Sequence, residues 1–123
     1  MRFLIVDDSS TMRRIIINTL TKLGYKEFHE AGNGREGMER LATTQVDMII
    51  TDWNMPEMSG IDFIRAVRAN NATKLLPVLM VTTNAAEDDI VAALKAGVNN
   101  YVVKPFTPDT IREKIQAALK AQA

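Results

Sequence analysis

Short apolar runs, each followed by a polar turn and a segment of helical periodicity, constrain most strongly what this chain can fold into. The clear runs cover residues 3–6, 48–50, 78–81 and 101–103, and a weaker one lies around Phe28. Runs this short and this continuous are typical of strands buried on both faces of a parallel sheet. The segments between them must therefore cover both faces of that sheet.

The segments between the apolar runs repeat apolar residues at helical spacing. The predicted apolar faces are Met12, Ile16, Leu20 and Leu23, then Ile61, Ile64 and Val67, then Ile90, Leu94 and Val98, and finally Ile111, Ile115 and Leu119. Asn33, Ser59 and Asn84 each precede an acidic residue by three positions, which predicts a helix start with a side-chain cap. Strands that alternate with helices predict an α/β domain, a doubly wound parallel sheet of roughly five strands with helices on both faces.

Length and composition predict one domain with no general affinity for charged partners. The chain has 123 residues, of which 15 are basic and 15 acidic, and it contains no cysteine. We predict a single domain over residues 1–123, without an overall field that would favour nucleic acid or an acidic membrane. Disulfides and thiolate metal sites are excluded, and no apolar run approaches the ~20 residues of a membrane span. We expect a cytoplasmic protein with no nucleic-acid or membrane partner.

Acidic, hydroxyl and amine side chains stand where the predicted strands end. Asp7 and Asp8 follow the first strand, Asp52 the third, Thr82 ends the fourth, and Lys104 follows the fifth. The carboxyl ends of parallel strands meet at one edge of the sheet, where proteins of this class bind ligands. The sequence therefore predicts that these residues form a common site.

The chemistry of that site follows from its charges. Three crowded carboxylates repel one another, and burial increases the cost, so the cluster needs cations. A hard divalent ion such as Mg²⁺ suits oxygen ligands, and Lys104 can both neutralise charge and hold a phosphate oxygen. A carboxylate can attack phosphorus and become an aspartyl phosphate, while the metal and the lysine stabilise the transferring group. Thr82 could donate a hydrogen bond to a phosphate oxygen.

These residues and their surroundings resemble the receiver domain of two-component response regulators, and most closely the stand-alone receivers of chemotaxis. The resemblance is carried by VDDSSTMRR at residues 6–14, DWNMP at residues 52–56 and YVVKPF at residues 101–106. It covers nearly the whole chain. It implies a flavodoxin-like fold with strand order 2-1-3-4-5 and a cis peptide bond between Lys104 and Pro105.

The resemblance also implies a role for each acidic residue. Asp52 would be the phosphoacceptor. Asp8 and Asp52 would bind Mg²⁺ directly, together with the main-chain carbonyl of Asn54, and Asp7 would act through a metal-bound water. The protein would be a signalling phosphoacceptor that assists its own phosphorylation and dephosphorylation, and not an enzyme in the usual sense.

Switching and partners are implied in the same way. Thr82 and Lys104 would contact the phosphoryl oxygens, and Tyr101 would turn inward on activation as Thr82 moves toward the phosphate. A histidine kinase would be the phosphodonor, the flagellar motor switch the target, and a phosphatase a further partner of this monomer. The acidic run at residues 84–89 departs from the lysines that enteric relatives carry there, and Asn84 replaces an acidic residue.

Alternative functions stay open at this point. A stand-alone receiver could instead act in a phosphorelay or on a partner other than the motor. A small phosphatase with an aspartyl intermediate would need a second acid two positions after the nucleophile, where this chain has Asn54. A flavin or nucleotide carrier would need a phosphate-binding loop after the first strand, where Asp7 and Asp8 would repel phosphate.

Other residues of note have simpler interpretations. Arg13 and Arg14 are predicted to lie on a solvated helix face. Tyr101 could be a strand-end aromatic whose hydroxyl lies in water. His29 has no histidine or cysteine companion, which favours a surface position over metal binding.

Overall fold

In the computed structural model, which describes residues 1–120, strands and helices alternate along the chain. The strands are β1 (Arg2–Val6), β2 (Glu27–Ala31), β3 (Met48–Thr51), β4 (Val78–Thr82) and β5 (Asn100–Val103). The helices are α1 (Ser10–Lys22), α2 (Gly34–Thr43), α3 (Gly60–Ala69), α4 (Glu87–Ala96) and α5 (Pro108–Lys120). All strand pairs are parallel and the sheet order is β2-β1-β3-β4-β5. The predicted doubly wound, flavodoxin-like α/β fold is confirmed.

Two apolar layers cover the sheet because successive strand residues point to opposite faces. Leu4 and Ile49 pack in the layer that includes residues of α2, α3 and α4. Phe3 and Ile50 pack in the opposite layer, with residues of α1 and α5. Within the part of the chain that the structure describes, none of the helices is both long and apolar enough to cross a membrane.

Two of the three predicted side-chain caps are present. The side-chain oxygen of Asn33 accepts a hydrogen bond from Glu36 N at 2.9 Å, which begins α2. The hydroxyl of Ser59 accepts one from Asp62 N at 3.3 Å, which begins α3. Each cap satisfies a backbone N–H that the first helical turn leaves without a partner.

Helix α4 departs from the sequence prediction at its start and along its apolar face. It begins after Ala86 with no side-chain cap, because the side-chain oxygen of Asn84 instead accepts a hydrogen bond from Asn54 Nδ2 at 3.1 Å. Leu94, predicted to face the core, is 48% exposed, while Ala93 is fully buried. The helix therefore packs against the core through Ala93 and the partly buried Ile90, and Leu94 faces outward.

Candidate functional site

The sheet register brings the ends of four strands to one edge of the sheet. Val6 pairs with Thr51, so the residues that follow them, Asp7 and Asp52, lie side by side. The backbone pairing continues one residue past the strand, since Asp52 N donates to Val6 O at 2.9 Å. Lys104 N likewise donates to Thr82 O at 2.8 Å. The backbone of these site residues is thus fixed by the strand pairing itself.

Three acidic side chains meet at this edge. Carboxylate oxygens of Asp7, Asp8 and Asp52 all lie within 4.8 Å of one another. Asp7 is buried, with 2% of its surface exposed, whereas Asp8 is exposed and Asp52 is half-buried. Closely spaced carboxylate oxygens that partly reach solvent suit a hard, hydrated divalent cation. The predicted acidic cluster is present, and its donor set is consistent with the predicted metal site.

Lys104 bridges two members of the cluster. Its Nζ atom lies 3.1 Å from Asp7 Oδ2 and 3.1 Å from Asp52 Oδ2. The Lys104 side chain is 12% exposed, so its charge is little screened by water. The peptide bond that follows it, to Pro105, is cis, as the resemblance implies.

Burial raises the pKa of the Asp7 carboxyl above its ordinary value. A hydrogen bond from Ser9 N to Asp7 Oδ1 at 2.9 Å and the charge of Lys104 act in the opposite direction, and the charge of Asp52 adds to the rise. Loss of hydration therefore outweighs the neighbouring cation. Asp7 is a carboxylate whose charged form is costly unless further positive charge enters the site.

The segment after Asp52 is folded tightly against it. Trp53 N donates to Asp52 Oδ1 at 2.6 Å, and Gly60 N donates to Trp53 O at 2.6 Å. A Cβ atom on Gly60 would overlap the main-chain carbonyl oxygen of Asp52, so a glycine is required where α3 begins. Asn54 is exposed within this loop, and its side-chain amide is the one that donates to Asn84.

Asn84 connects Thr82 to Tyr101. Thr82 is fully buried and its hydroxyl accepts a hydrogen bond from Asn84 N at 3.3 Å. The Tyr101 hydroxyl donates to Asn84 O at 2.7 Å, and Tyr101 is only 8% exposed. The interpretation that places this hydroxyl in water is therefore wrong, and the ring already lies inward. Burial, with smaller contributions from the charges of Asp89 and Asp52, raises the pKa of Tyr101 to about 12.

A family model of the response regulator receiver domain matches residues 3–116. This chain belongs to the response regulator receiver family. It is 53% identical over 120 residues to Chemotaxis protein CheY1 of Helicobacter pylori, covering 97% of each chain. It is 54% identical over 116 residues to Chemotaxis protein CheY of Pseudomonas aeruginosa, covering 94% of each.

Solved structures agree with the sequence relatives. The fold matches the chemotaxis response regulator CheY4 of Vibrio cholerae with a TM-score of 0.87 and 36% identity, covering 95% of this chain and 97% of that one. These similarities confirm the predicted class. The receiver is a CheY-like chemotaxis response regulator, a phosphoacceptor signalling protein.

The environment of Arg13 differs from the one predicted from the sequence. Its Nε donates to Glu30 Oε1 at 2.9 Å, its Nη1 donates to the main-chain carbonyl of Asp7, and its side chain is only 19% exposed. The prediction of a solvated face is thus wrong for Arg13, although Arg14 is exposed. Glu30 is 17 positions away on β2, so this contact could not be predicted from local sequence spacing.

Proposed function

We propose that this receiver accepts a phosphoryl group on Asp52 in a reaction that requires Mg²⁺. One observation carries the proposal: the oxygens of Asp7, Asp8 and Asp52 lie within 4.8 Å of one another, and Lys104 contacts two of these carboxylates. The cluster combines a nucleophilic carboxylate, oxygen ligands and a cation that can hold a phosphoryl oxygen. We further propose that residues 1–123 work as one receiver domain.

The donor set fits Mg²⁺ because every candidate ligand is an oxygen. We propose that Asp8, Asp52 and the main-chain carbonyl of Asn54 bind the ion directly, and that Asp7 acts through a water molecule. When bound, the ion offsets the repulsion among the carboxylates and neutralises charge on the transferring group. The raised pKa of Asp7 supports this assignment, since it marks a site short of positive charge.

The chemical step is a displacement at phosphorus. A carboxylate oxygen of Asp52 forms a bond to phosphorus as the bond from phosphorus to the donor's leaving atom breaks, and the leaving atom keeps the electron pair. Lys104 Nζ, at 3.1 Å from Asp52 Oδ2, follows the negative charge onto the phosphoryl oxygens. Attack of water on the same phosphorus later breaks its bond to Asp52, releases inorganic phosphate and regenerates the carboxylate.

We propose that Thr82 and Tyr101 carry the signal away from the site. When the Thr82 hydroxyl turns to a phosphoryl oxygen, it gives up its hydrogen bond with Asn84 N. Asn84 also accepts, through its main-chain carbonyl, a hydrogen bond from the Tyr101 hydroxyl. A shift of Asn84 therefore moves the side chains of Thr82 and Tyr101 together. If the contact between Thr82 and the phosphoryl group favours the active arrangement by ~2–3 kcal/mol, the ratio of active to inactive molecules rises by roughly thirty- to more than a hundredfold.

We propose a cytoplasmic monomer with protein partners and without nucleic-acid or membrane partners. A histidine kinase donates the phosphoryl group, the flagellar motor switch is the target, and a phosphatase shortens the active state. The relatives named as chemotaxis proteins support this set. The acidic first turn of α4, with Glu87, Asp88 and Asp89, favours a target segment that carries positive charge.

Acetyl phosphate tests the phosphoacceptor directly. The protein is incubated with acetyl phosphate, with and without Mg²⁺, and its intact mass is measured. We expect a phosphate adduct that depends on the metal and is absent in Asp52→Asn. Asp62→Asn, an equivalent change on the exposed face of α3, should keep the adduct. An adduct that persists in Asp52→Asn would refute the assignment.

The motor target is tested separately. A peptide from the N-terminal segment of a motor-switch protein is used to capture the receiver, with and without beryllofluoride as a phosphoryl mimic. Stronger capture with the mimic supports the chemotaxis role. Equal and weak capture in both states would favour a phosphorelay or another partner.

A further inference from the structure

Glu57 lies in an unusual backbone conformation a few residues after Asp52. Its φ is 64°, in the left-handed region that residues with a Cβ rarely adopt. Met58 N donates to Pro56 O at 2.6 Å, which closes a three-residue γ-turn centred on Glu57. A γ-turn with positive φ is rare and strained, so surrounding contacts must hold it in place.

The contacts that hold this turn come from the start of α2. Asn33 Nδ2 donates to Glu57 Oε2 at 2.8 Å, and Arg35 Nη2 donates to the same oxygen at 3.2 Å. Asn33 is 6% exposed, and its own oxygen is fixed by capping α2. The carboxylate of Glu57 is therefore tied to a buried amide that cannot easily move. The hydrogen bond from Asn33 holds the Glu57 carboxylate more firmly than the exposed ion pair with Arg35 would alone.

A second pair of contacts secures the neighbouring residue. Gly34 N donates to Met58 O at 3.3 Å. A Cβ on Gly34 would lie 2.8 Å from Met58 Cγ, so the methionine side chain packs directly on the glycine. The turn at residues 56–58 is thus attached to the start of α2 through both backbone and side chains.

The same turn belongs to the loop that leads away from the phosphoacceptor. The loop is closed at its base by the hydrogen bond from Gly60 N to Trp53 O at 2.6 Å. Its far end is the γ-turn, fastened by Glu57, and Asn54 lies between these two fixed points. A segment held at both ends by short hydrogen bonds has few conformations left to adopt.

We propose that Glu57 is a positioning residue for metal binding, in that its carboxylate holds the strained loop so that Asn54 is presented to the cation. The inference rests on the proposed function, in which the Asn54 carbonyl is a ligand. Glu57 itself does not contact the acidic cluster. It acts by removing the conformational freedom that the loop would otherwise lose when the metal binds.

The test separates backbone strain from carboxylate anchoring. Glu57→Ala removes the carboxylate and keeps the cost of positive φ, whereas Glu57→Gly removes both. Glu39→Gln is the matched control, because Glu39 pairs with the same Arg35 at 2.8 Å but lies on α2. Mg²⁺ affinity is measured by the fluorescence of Trp53, the one tryptophan of the chain, and stability by urea unfolding. Hydrogen exchange of the Gly60 amide, measured without metal, reports on the loop alone.

We expect both Glu57 variants to bind Mg²⁺ about three- to tenfold more weakly, less than the ~10–100-fold typical when a direct partner of a ligand is lost. Gly60 amide exchange should be faster in both variants without metal. Glu57→Gly should have a urea midpoint at or above that of Glu57→Ala, so an equal loss of affinity in the two variants cannot be ascribed to backbone strain or to a difference in their stability. Glu39→Gln should match the parent in affinity and exchange.

Two results would overturn the inference in distinguishable ways. If Glu57→Gly binds Mg²⁺ as tightly as the parent, Glu57 has no positioning role and the proposed function stands. If the parent shows no saturable Mg²⁺ binding, the proposed function fails and the inference fails with it. Loss of affinity in Glu57→Ala with none in Glu57→Gly would assign the effect to strain and would likewise contradict the proposal.

Discussion

Lys104 and Asp52 form a partly buried ion pair in which Nζ lies 3.1 Å from Oδ2 and each side chain is 12% exposed. The same Nζ lies 3.1 Å from Asp7 Oδ2. One amine thus compensates two carboxylates whose partners in the proposed active state also include a metal ion. When one member of a buried pair is removed, the charges that remain are left without compensation.

Lys104→Met should destabilise the metal-free protein by about 2–4 kcal/mol, because it leaves Asp7 and Asp52 without a cation. Saturating Mg²⁺ should recover a large part of this loss, since the ion supplies the missing positive charge. Urea unfolding with and without Mg²⁺ measures both effects. Lys95→Met, on the exposed side of α4, serves as the control and should change little. An equal loss with and without the metal would contradict the expectation.

Asp7→Asn should raise the urea midpoint of the metal-free protein at pH 7. Burial raises the pKa of Asp7 in the folded state, so its contribution to stability is fully present below the unfolded pKa. That contribution is lost as the pH rises through the folded pKa. The advantage of Asp7→Asn over the parent should therefore grow from about pH 4 toward neutral pH, given the ordinary carboxyl value. A difference that stays constant over this range would be inconsistent with the raised pKa.

Local patterns were enough to predict a parallel α/β sheet and the acidic site, whereas the strand order was implied only by the family resemblance. Apolar runs locate the strands, and parallel pairing then carries Asp7, Asp52 and Lys104 to one edge whatever the side-chain details. Contacts between elements were not predictable in this way. Arg13 contacts Glu30, which is 17 positions away, and Asn84 contacts Asn54, which is 30 positions away. The periodicity of a helix or a strand does not predict contacts over such separations.

The misplaced helix start shows the same limit. Asn84 and Glu87 satisfy the spacing of a capping box, yet Asn84 binds Asn54 and Tyr101 instead. A local cap is worth about 1 kcal/mol, which tertiary hydrogen bonds can exceed in sum. The prediction failed at the segment that the proposed switch uses, where local and tertiary preferences compete.

Tyr101 should ionise with a pKa near 12, because burial disfavours the charged phenolate. The chain has two tyrosines, so alkaline titration of the absorbance near 295 nm should lose its step near pH 12 in Tyr101→Phe and retain it in Tyr25→Phe. The stability that Tyr101 contributes should be complete below the unfolded pKa of about 10 and lost as the pH rises toward 12. A Tyr101 step near the ordinary tyrosine pKa of about 10 would show that the ring lies outward in solution.

Tyr101→Phe should also cost about 1 kcal/mol of stability at neutral pH. The change leaves the ring in place but removes the hydroxyl that donates to Asn84 O at 2.7 Å. Urea unfolding of the metal-free variant measures this loss. No loss would mean that water replaces the hydroxyl without penalty, and the connection between Tyr101 and the Thr82 segment would then be weak.

Arg13→Ala should weaken Mg²⁺ binding and slow phosphorylation from acetyl phosphate, whereas Arg14→Ala should leave both unchanged. Arg13 donates to the main-chain carbonyl of Asp7 and pairs with Glu30 at 2.9 Å, so it fixes the turn that carries Asp7 and Asp8. Arg14 is the next residue, has the same charge and is exposed. Comparing the two variants therefore distinguishes the effect of the Arg13 contacts from the effect of losing one positive charge. Loss of a cation near an acidic cluster would by itself strengthen the binding of Mg²⁺, so weaker binding in Arg13→Ala identifies positioning as the dominant effect. Tighter binding in Arg13→Ala, measured by Trp53 fluorescence, would show that the electrostatic effect prevails and that the turn holds its shape without the arginine.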